Sequence, residues 1–388
     1  MKIICGVGLD SDAVFVSFGG ITNNKISLIA ERKILFGDVL YDKDLNSSWD
    51  KLVSCVDAIE DIIISEEKKY CTKIKDICFV LPRDACRIIY ASKSCVFKSV
   101  KNVSVKDIKD LKKSLENEKL QWDEAAIAHF VHSFEADGNS YPKVQAGLWA
   151  KKIVINSEIF SVKTNIYEKA IQIMDSMGRR LVSIVPYEYA VFSSFYPYGF
   201  KENNTIVVYI GYTDTNFIFF ERNMVKSSGS VPLGVMGVID AISEEFSINK
   251  DIAAEIFSLY VNFDEKRYAS AKNISVKNGD YFVTVNMDVV NKFVCDFIKR
   301  SIDNMLADNV IGRMASENVK VAFMGRFFEK TSARDFFLGN FNDFVSPVFN
   351  NISLSFGGIL FHVYSLSVVK NGYKMIWHKL INIYKEYF

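Results

Sequence analysis

The feature that most constrains the fold of this chain is an internal echo. Each half begins with an apolar strand, a glycine-containing turn and a second apolar strand: "KIICGVGLDSDAVFVSF" at residues 2–18 and "NTIVVYIGYTDTNFIFF" at residues 204–220. β-Branched and aromatic residues around a Gly, Asp, Ser or Thr cluster are typical of two strands joined by a tight turn. With 388 residues the chain is too long for one core. The echo therefore predicts two related α/β domains.

Residues 76–163, between the two hairpins, form a block whose sequence pattern differs from that of its flanking segments. Strands lead into a helix that Ser104 can cap, with Asp107 three residues further on, as in a capping box. Another strand then runs into the Asp-Gly turn of "EADGNS", a pair that favours a hairpin. The block predicts a small α+β module inserted into the larger fold.

Composition argues against several classes of function. The formal net charge is +1, so the broad basic surface of a nucleic-acid-binding protein is not expected. The seven cysteines include no CxxC pair, which is typical of reduced cytosolic thiols and not of a disulfide framework or a zinc site. His129 and His132 are three residues apart on a predicted strand, so their rings should face opposite sides and not share a metal.

The sequence also bears on membrane contact. The chain does not open with a signal-peptide pattern, and no window has the 18 or more apolar residues of a membrane span. We expect a cytoplasmic protein whose membrane contact is peripheral.

Two turns are candidates for binding phosphate. "GVGLDSDAV" at residues 6–14 and "IGYTDTNFI" at residues 210–218 combine glycine with hydroxyl and carboxylate side chains. Backbone N–H groups of such turns can converge on a phosphate, because glycine leaves the approach open. Either turn alone is more often a plain hairpin turn. Two of them facing each other would grip a nucleoside triphosphate from both sides.

Taken in chain order, these segments resemble the actin-like ATPase superfamily and, within it, the FtsA family of bacterial cell-division proteins. The order of the motifs carries the resemblance, since each motif alone is loose. The matching segments are "VGLD", "AAIAHFVHSFEADGNS", "VQAGLWAKKIVI", "MGRRLVSIVPYEYAVFSSF", "VVYIGYTDTNFIFF", "VPLGVMGVIDAISEEFSINKDIAAEIFSLY", "KVAFMGRFF" and "LSFGGILFHVY". The resemblance implies an α/β, actin-like two-lobed fold of duplicated ribonuclease-H-like domains, with an inserted α+β subdomain and a C-terminal amphipathic helix.

The resemblance also implies a division into subdomains. The expected parts are 1A at residues 1–75, 164–190 and 346–370, the inserted 1C at 76–163, 2A at 191–232 and 295–345, 2B at 233–294, and a linker with the terminal helix at 371–388.

ATP with Mg²⁺ is the cofactor that the resemblance implies. The residues it assigns to this site are Asp10, Ser11, Asp12, Gly211, Tyr212, Thr213, Asp214, Thr215, Gly234, Glu255, Gly325 and Arg326. Several of them depart from the family pattern: Asp12, Tyr212 and Arg326 stand where the family has glycines, and Tyr209 replaces an aspartate. Bulk at glycine positions and lost carboxylates remove phosphate access and Mg²⁺ anchorage. We expect no enzyme, or at most a weak ATPase, and leave ATP binding open against an architectural remnant.

The last sixteen residues, "YKMIWHKLINIYKEYF", form one apolar face and one basic face when placed on a helix. Such a helix lies in a membrane interface, with Trp and Tyr at headgroup level and lysines toward anionic lipid. The residues expected to contact the membrane are Lys374, Ile376, Trp377, Lys379, Leu380, Ile381, Tyr384, Lys385 and Phe388. By pattern alone, docking on the protein's own core is the alternative. The preceding "VVKNGY", a polar spacer, and the family's membrane-targeting helix favour the membrane.

The function that the resemblance implies is that of an FtsA-like protein, peripheral on the cytoplasmic face of the cell membrane at the division site. It would tether FtsZ filaments and self-assemble into actin-like filaments, and its inserted subdomain would contact other division proteins. Basic residues expected to bind the C-terminal tail of FtsZ are Lys250, Lys266, Arg267 and Lys272. Two alternatives remain: a PilM-like pilus-assembly scaffold of the same fold, and an active ATPase of the superfamily.

Overall fold

A computed structural model describes thirteen stretches of the chain. They are residues 2–22, 25–37, 45–83, 85–141, 144–195, 204–221, 224–264, 273–279, 281–307, 319–330, 332–340, 345–350 and 353–372. These stretches form two compact units. The first comprises the described residues within 1–9, 13–193 and 354–388, and the second those within 10–12 and 194–353.

Strands and helices are numbered in chain order. The strands are β1 (Lys2–Leu9), β2 (Ala13–Thr22), β3 (Lys25–Leu35), β4 (Asp76–Val80), β5 (Arg87–Asn102), β6 (Glu124–Ala136), β7 (Asn139–Tyr141), β8 (Trp149–Lys163), β9 (Arg180–Val185), β10 (Thr205–Ile210), β11 (Thr215–Glu221), β12 (Met224–Val231), β13 (Asn273–Asn278), β14 (Tyr281–Asn286), β15 (Lys320–Gly325) and β16 (Val345–Asn350). The helices are α1 (Leu45–Ser54), α2 (Val56–Tyr70), α3 (Val105–Lys119), α4 (Thr164–Ser176), α5 (Tyr187–Ser193), α6 (Val235–Glu245), α7 (Lys250–Leu259), α8 (Met287–Ala307), α9 (Ala333–Asn340) and α10 (Leu354–Gly372).

The first unit is built on a five-stranded sheet in the order β3-β2-β1-β4-β9. The pairs β1–β2 and β2–β3 are antiparallel, whereas β1–β4 and β4–β9 are parallel. β1 is buried from Ile3 to Leu9, as expected of a central strand covered on both faces. Apolar residues of α1, α2 and α4, among them Trp49 and Ile59, share one core cluster with β1, β2 and β4.

Glycines in β1 let α10 approach the sheet closely. A Cβ added at Gly6 would lie 2.2 Å from the carbonyl oxygen of Ser355, which no side chain could tolerate. Ser355 also joins the sheet by its hydroxyl, whose Oγ lies 2.6 Å from that of Ser17. The backbone of α10 therefore rests directly on the strand.

The second unit repeats the arrangement of the first sheet. Its five strands run in the order β12-β11-β10-β15-β16, again with two antiparallel pairs followed by two parallel ones. Its core gathers apolar residues of α6, α7, α8 and α9 with those of β10 and β15. The internal echo in the sequence thus corresponds to a duplicated α/β unit. A separate antiparallel pair, β13–β14, completes the described part of this unit.

Most of the inserted block folds as predicted, into a four-stranded sheet with one helix, but the predicted start at residue 76 is too early, because β4 (Asp76–Val80) pairs with β1 and β9 in the sheet of the first unit. The order is β5-β8-β6-β7, all antiparallel, and α3 covers one face through Ile108, Leu111 and Leu115. The two histidines of β6 face opposite sides: His129 Nδ1 lies 2.6 Å from Glu116 of α3, and His132 Nε2 lies 3.1 Å from Glu158 of β8. Each ring is engaged by a carboxylate, and the two rings lie on opposite sides of β6, as the strand periodicity predicted.

The predicted capping box at the start of α3 is confirmed. The Asp107 N–H donates to Ser104 Oγ over 3.2 Å, and the Ser104 N–H donates to Asp107 Oδ2 over 2.8 Å. Burial alone would raise the pKa of Asp107, but hydrogen bonds from Lys101 and Ser104 lower it to about 2.

We expect the change Ser104→Ala to lower the free energy of unfolding by about 1 kcal/mol, because the Asp107 N–H in the first helical turn loses its acceptor. The midpoint of urea denaturation, followed by circular dichroism, measures this loss. Ser104→Thr keeps the acceptor and serves as the control; an equal loss in both variants would contradict the capping role.

The structure describes all but the last residue of the polar spacer expected at residues 368–373. α10 remains helical through Gly372, so residues 368–372 form a helix and not a polar linker. The stretch contains no proline, and a single glycine at a helix end is a common way for a helix to finish. The predicted membrane-contacting residues, Lys374 to Phe388, lie outside the described residues. Of the helices within the described ranges, none is both long and apolar enough to cross a membrane.

Candidate functional site

The second glycine turn, residues 211–214, joins β10 to β11 and sits over the beginning of α6. The Gly211 N–H donates to the Asp214 carbonyl oxygen over 2.8 Å, which closes the turn. At the start of α6, the Val235 N–H donates to the Gly211 carbonyl over 3.3 Å and the Met236 N–H to the Tyr212 carbonyl over 2.8 Å. The first N–H groups of a helix usually make an anion site, but here the turn itself satisfies two of them.

Two residues, Gly234 and Thr215, fix this packing. A Cβ at Gly234 would lie 2.4 Å from the Tyr212 carbonyl oxygen, so the close contact between turn and helix requires glycine. Thr215 is fully buried and its hydroxyl donates to the Leu233 carbonyl oxygen. Thr213 and Asp214 are half-buried within the turn.

The adenosine-side loop predicted from the sequence begins where β15 ends. Gly325 has φ +113° and ψ −158°, a backbone conformation that is essentially restricted to glycine. A Cβ there would lie 2.2 Å from the Ile210 carbonyl oxygen of the neighbouring strand. A short 3₁₀ turn, Arg326–Glu329, follows directly and turns the Arg326 side chain inward.

Arg326 is the centre of a buried charge cluster. Its Nη2 atom lies 2.5 Å from Asp12 Oδ2, and Nη1 pairs with Glu329. The side chains of Arg326 and Asp12 are 6% and 8% exposed, whereas Glu329 reaches solvent. Burial by itself lowers the pKa of Arg326, but the nearby carboxylates of Asp12 and Glu329 outweigh this and raise the pKa.

Asp10, the other carboxylate of the first turn, is also engaged. The Tyr209 hydroxyl donates to Asp10 Oδ2 over 2.8 Å, and the Ser11 N–H donates to Oδ1 over 2.7 Å. Residues 10–12 group with the second unit, and these contacts with Tyr209 and Arg326 lie within it.

A pocket of about 430 Å³ lies in the second unit beside the charge cluster. It is lined by Tyr212, Val235, Ile239, Ala254, Phe257, Ser258, Arg326, Glu329 and Lys330. Lys330 Nζ closes one side by donating to the carbonyl oxygens of Ser258 and Val261, over 3.0 and 3.1 Å, and lies 5.0 Å from the Phe257 ring centre. Burial lowers the pKa of this lysine.

The structure distributes the predicted nucleotide residues unequally. Tyr212 and Arg326 line the pocket, while the three glycines at 211, 234 and 325 shape the backbone around it. Glu255 is exposed on α7 and is not among the described lining residues. Among the predicted partner-binding residues, Lys250 begins α7 and pairs with Asp240 over 2.8 Å. Lys266, Arg267 and Lys272 lie outside the described residues.

The carboxylates and donors of this site do not fit a magnesium–triphosphate group. Mg²⁺ needs carboxylate or phosphate oxygens that are available as ligands. Here Asp12 is paired with the Arg326 guanidinium, and Asp10 accepts a hydrogen bond from the Tyr209 hydroxyl. The mismatch concerns the phosphate and metal end, whereas the neighbouring pocket is lined partly by apolar side chains such as Val235, Ile239 and Phe257.

Three residues of this site were not predicted from the sequence as site residues. Tyr209 was recognised only as a lost aspartate, and Glu329 and Lys330 carried no motif. A signal was present for the main pair: Asp12 and Arg326 both replace glycines of the family pattern, and the replacements have opposite charge. Two compensating departures of that kind indicate a contact between distant positions.

The fold was compared with known proteins. No protein-family model matches the chain, and no curated protein sequence matches it. Among solved structures, the chain is similar to the PilM-PilN type IV pilus biogenesis complex, with a TM-score of 0.51, 11% identity, and 93% of this chain and 96% of that chain covered. It is similar to the ethanolamine utilization protein EutJ from Carboxydothermus hydrogenoformans at the same TM-score and identity, with 93% and 90% covered.

Both neighbours are members of the actin-like ATPase superfamily. The coverage extends over nearly the whole of each chain, and the two sheets repeat each other in strand order. This chain therefore has the actin-like ATPase fold.

Proposed function

We propose that this chain is an FtsA-like scaffold that holds FtsZ filaments at the cytoplasmic face of the cell membrane and assembles with copies of itself. The observation that carries the scaffold part is the engagement of Asp10 and Asp12 by Tyr209 and Arg326 in an otherwise complete actin-like fold. A protein that keeps the fold but closes the phosphate end acts by binding and not by turnover. At most, a weak ATPase activity is expected.

The membrane part of the proposal comes from the amphipathic sequence of residues 373–388. It follows α10, which rests on the central strands of the first unit through Ser355. A helix of this kind binds a membrane weakly by itself. Self-assembly would make the attachment strong, because many weak anchors on one filament act together.

The membrane anchor is tested by comparing the full chain with a chain ending at Gly372 in a vesicle sedimentation assay. With vesicles of phosphatidylglycerol and phosphatidylethanolamine, we expect the shortened chain to bind about tenfold less, because the apolar face and three lysines are gone. Equal sedimentation of both chains would refute the anchor.

A matched pair of variants separates anchor loss from general damage. Leu380→Glu places a charge on the apolar face of the terminal helix, and Asn382→Glu places the same charge on its polar face. We expect the first to lose most vesicle binding and the second to retain most of it. Emission from the buried Trp49 reports whether the first unit remains folded.

A PilM-like pilus-assembly scaffold is the second candidate. The match to PilM within a PilM-PilN complex favours it, and so does α10, which is helical through Gly372 within the stretch expected to be a polar spacer. The two candidates differ in their partners. Capture of the chain by an immobilised C-terminal peptide of FtsZ, reduced by changing Lys250, Lys266, Arg267 and Lys272 to alanine, supports the first; no capture supports the second.

A further inference from the structure

We infer that Arg326 takes the place of a metal-bound nucleotide in this chain. By pairing with Asp12, it keeps the turn at residues 10–12 in contact with the rest of the second unit when no ligand is bound. This role of Arg326 does not depend on which partner the scaffold binds. It follows from the mismatch between the fold's usual cofactor and the side chains at this position.

The turn at residues 10–12 belongs to the second unit through a small number of polar contacts. Asp12 pairs with Arg326 and Asp10 accepts from Tyr209. Both partners come from neighbouring strands: Tyr209 lies in β10, and Arg326 directly follows β15, which pairs with β10 in parallel. The sheet therefore holds both donors toward the turn.

The Arg326 guanidinium is positioned by the backbone. Gly325 has the left-handed conformation that turns the chain after β15, and Glu329 holds the second guanidinium nitrogen. A planar guanidinium that is paired with two carboxylates stays positively charged and is fixed in its orientation. The arginine thus supplies at this point the fixed positive charge that a bound metal would otherwise provide.

A nucleotide phosphate or Mg²⁺ cannot enter without breaking this arrangement. A metal ion would meet the positive charge of Arg326 in a buried site. A phosphate could attract the guanidinium only by drawing it from Asp12, which is 8% exposed and would keep an uncompensated charge. Each ligand therefore competes with a contact that the chain already makes.

The test is amide hydrogen exchange of a peptide covering residues 9–14 in the purified full chain, with and without millimolar ATP and Mg²⁺. In the unmodified protein we expect the same exchange rate under both conditions. In Arg326→Gln, which loses the ion pair, exchange of this peptide should become about tenfold faster. Arg326→Lys keeps the positive charge but lacks the planar guanidinium. Its exchange rate should therefore lie between those of the unmodified protein and Arg326→Gln.

The control is Arg334→Gln, the same change at an exposed position of α9, which should leave the peptide unaffected. Saturable slowing of exchange by ATP and Mg²⁺ in the unmodified protein would overturn the inference. So would an unchanged rate in Arg326→Gln. The measurement on the unmodified protein decides the question even if a variant fails to fold.

Discussion

Replacing Arg179 with alanine is expected to lower the free energy of unfolding of the first unit by about 3–5 kcal/mol. The Arg179 guanidinium, 9% exposed, lies 2.5 Å from Glu67 Oε1 and donates to the Ile74 carbonyl oxygen over 2.7 Å. Glu67 is 5% exposed, and once Arg179 is gone its buried charge would be compensated only by the exposed Lys73 and the Ile74 N–H. Urea unfolding followed by the emission of Trp49, the buried tryptophan among the described three, measures the loss.

Lys73 provides the matched control, because it pairs with the same carboxylate from the surface. Its Nζ lies 3.0 Å from Glu67 Oε2, but its side chain is 77% exposed. Lys73→Ala should therefore lower the free energy of unfolding by at most about 1 kcal/mol. Equal losses in the two variants would contradict the assignment of the effect to burial.

The same pair makes a signed prediction about pH. Burial alone would raise the pKa of Glu67, but hydrogen bonds from Arg179, the Ile74 N–H and Lys73 lower it below its ordinary value. A carboxyl group with a lowered pKa stabilises the fold fully above its unfolded pKa and loses that contribution as pH falls through the folded pKa. The difference between the unmodified protein and Arg179→Ala should accordingly shrink as pH drops below about 4.3.

Gly325→Ala should lower the free energy of unfolding of the second unit by about 3 kcal/mol or more. Two penalties combine: the backbone conformation at φ +113° is strained for alanine, and the added Cβ would overlap the Ile210 carbonyl oxygen at 2.2 Å. The sequence has no tryptophan within residues 194–353. Amide exchange of peptides from β10 and β15 therefore measures the effect.

Gly339→Ala is the control for this change. Gly339 lies in α9 and has open space around it, so alanine there should be neutral or slightly stabilising, by about 0.5–1 kcal/mol. Similar exchange rates in both variants would mean that the conformation of Gly325 is not constrained as described.

Local features of this fold were predictable because their causes lie within a few residues. Apolar runs on either side of the glycine turns predicted the hairpins β1–β2 and β10–β11, and the capping box at Ser104 predicted the start of α3. The duplication followed from the repeated pattern. These signals need no knowledge of which strands become neighbours.

The charge cluster shows what local reasoning leaves out. Asp12 and Arg326 are 314 residues apart and meet only because the fold brings the first turn to the end of β15. Taken singly, each is a departure from a glycine and indicates a lost function. Tyr209 and Asp10 are a second such pair, 199 residues apart. The polar composition of residues 368–372 gave no indication that α10 extends through them.

The seating of α10 on β1 has a consequence for how the chain folds during synthesis. Ser17 and Ser355, whose hydroxyls meet under the first sheet, are 338 residues apart. At elongation rates of roughly 5–20 residues per second, β2 waits on the order of 20–70 s for α10 to leave the ribosome. In that interval the face of β1 and β2 that α10 later covers has no helix on it. The second unit, which is continuous apart from the turn at residues 10–12, is complete before the first can close.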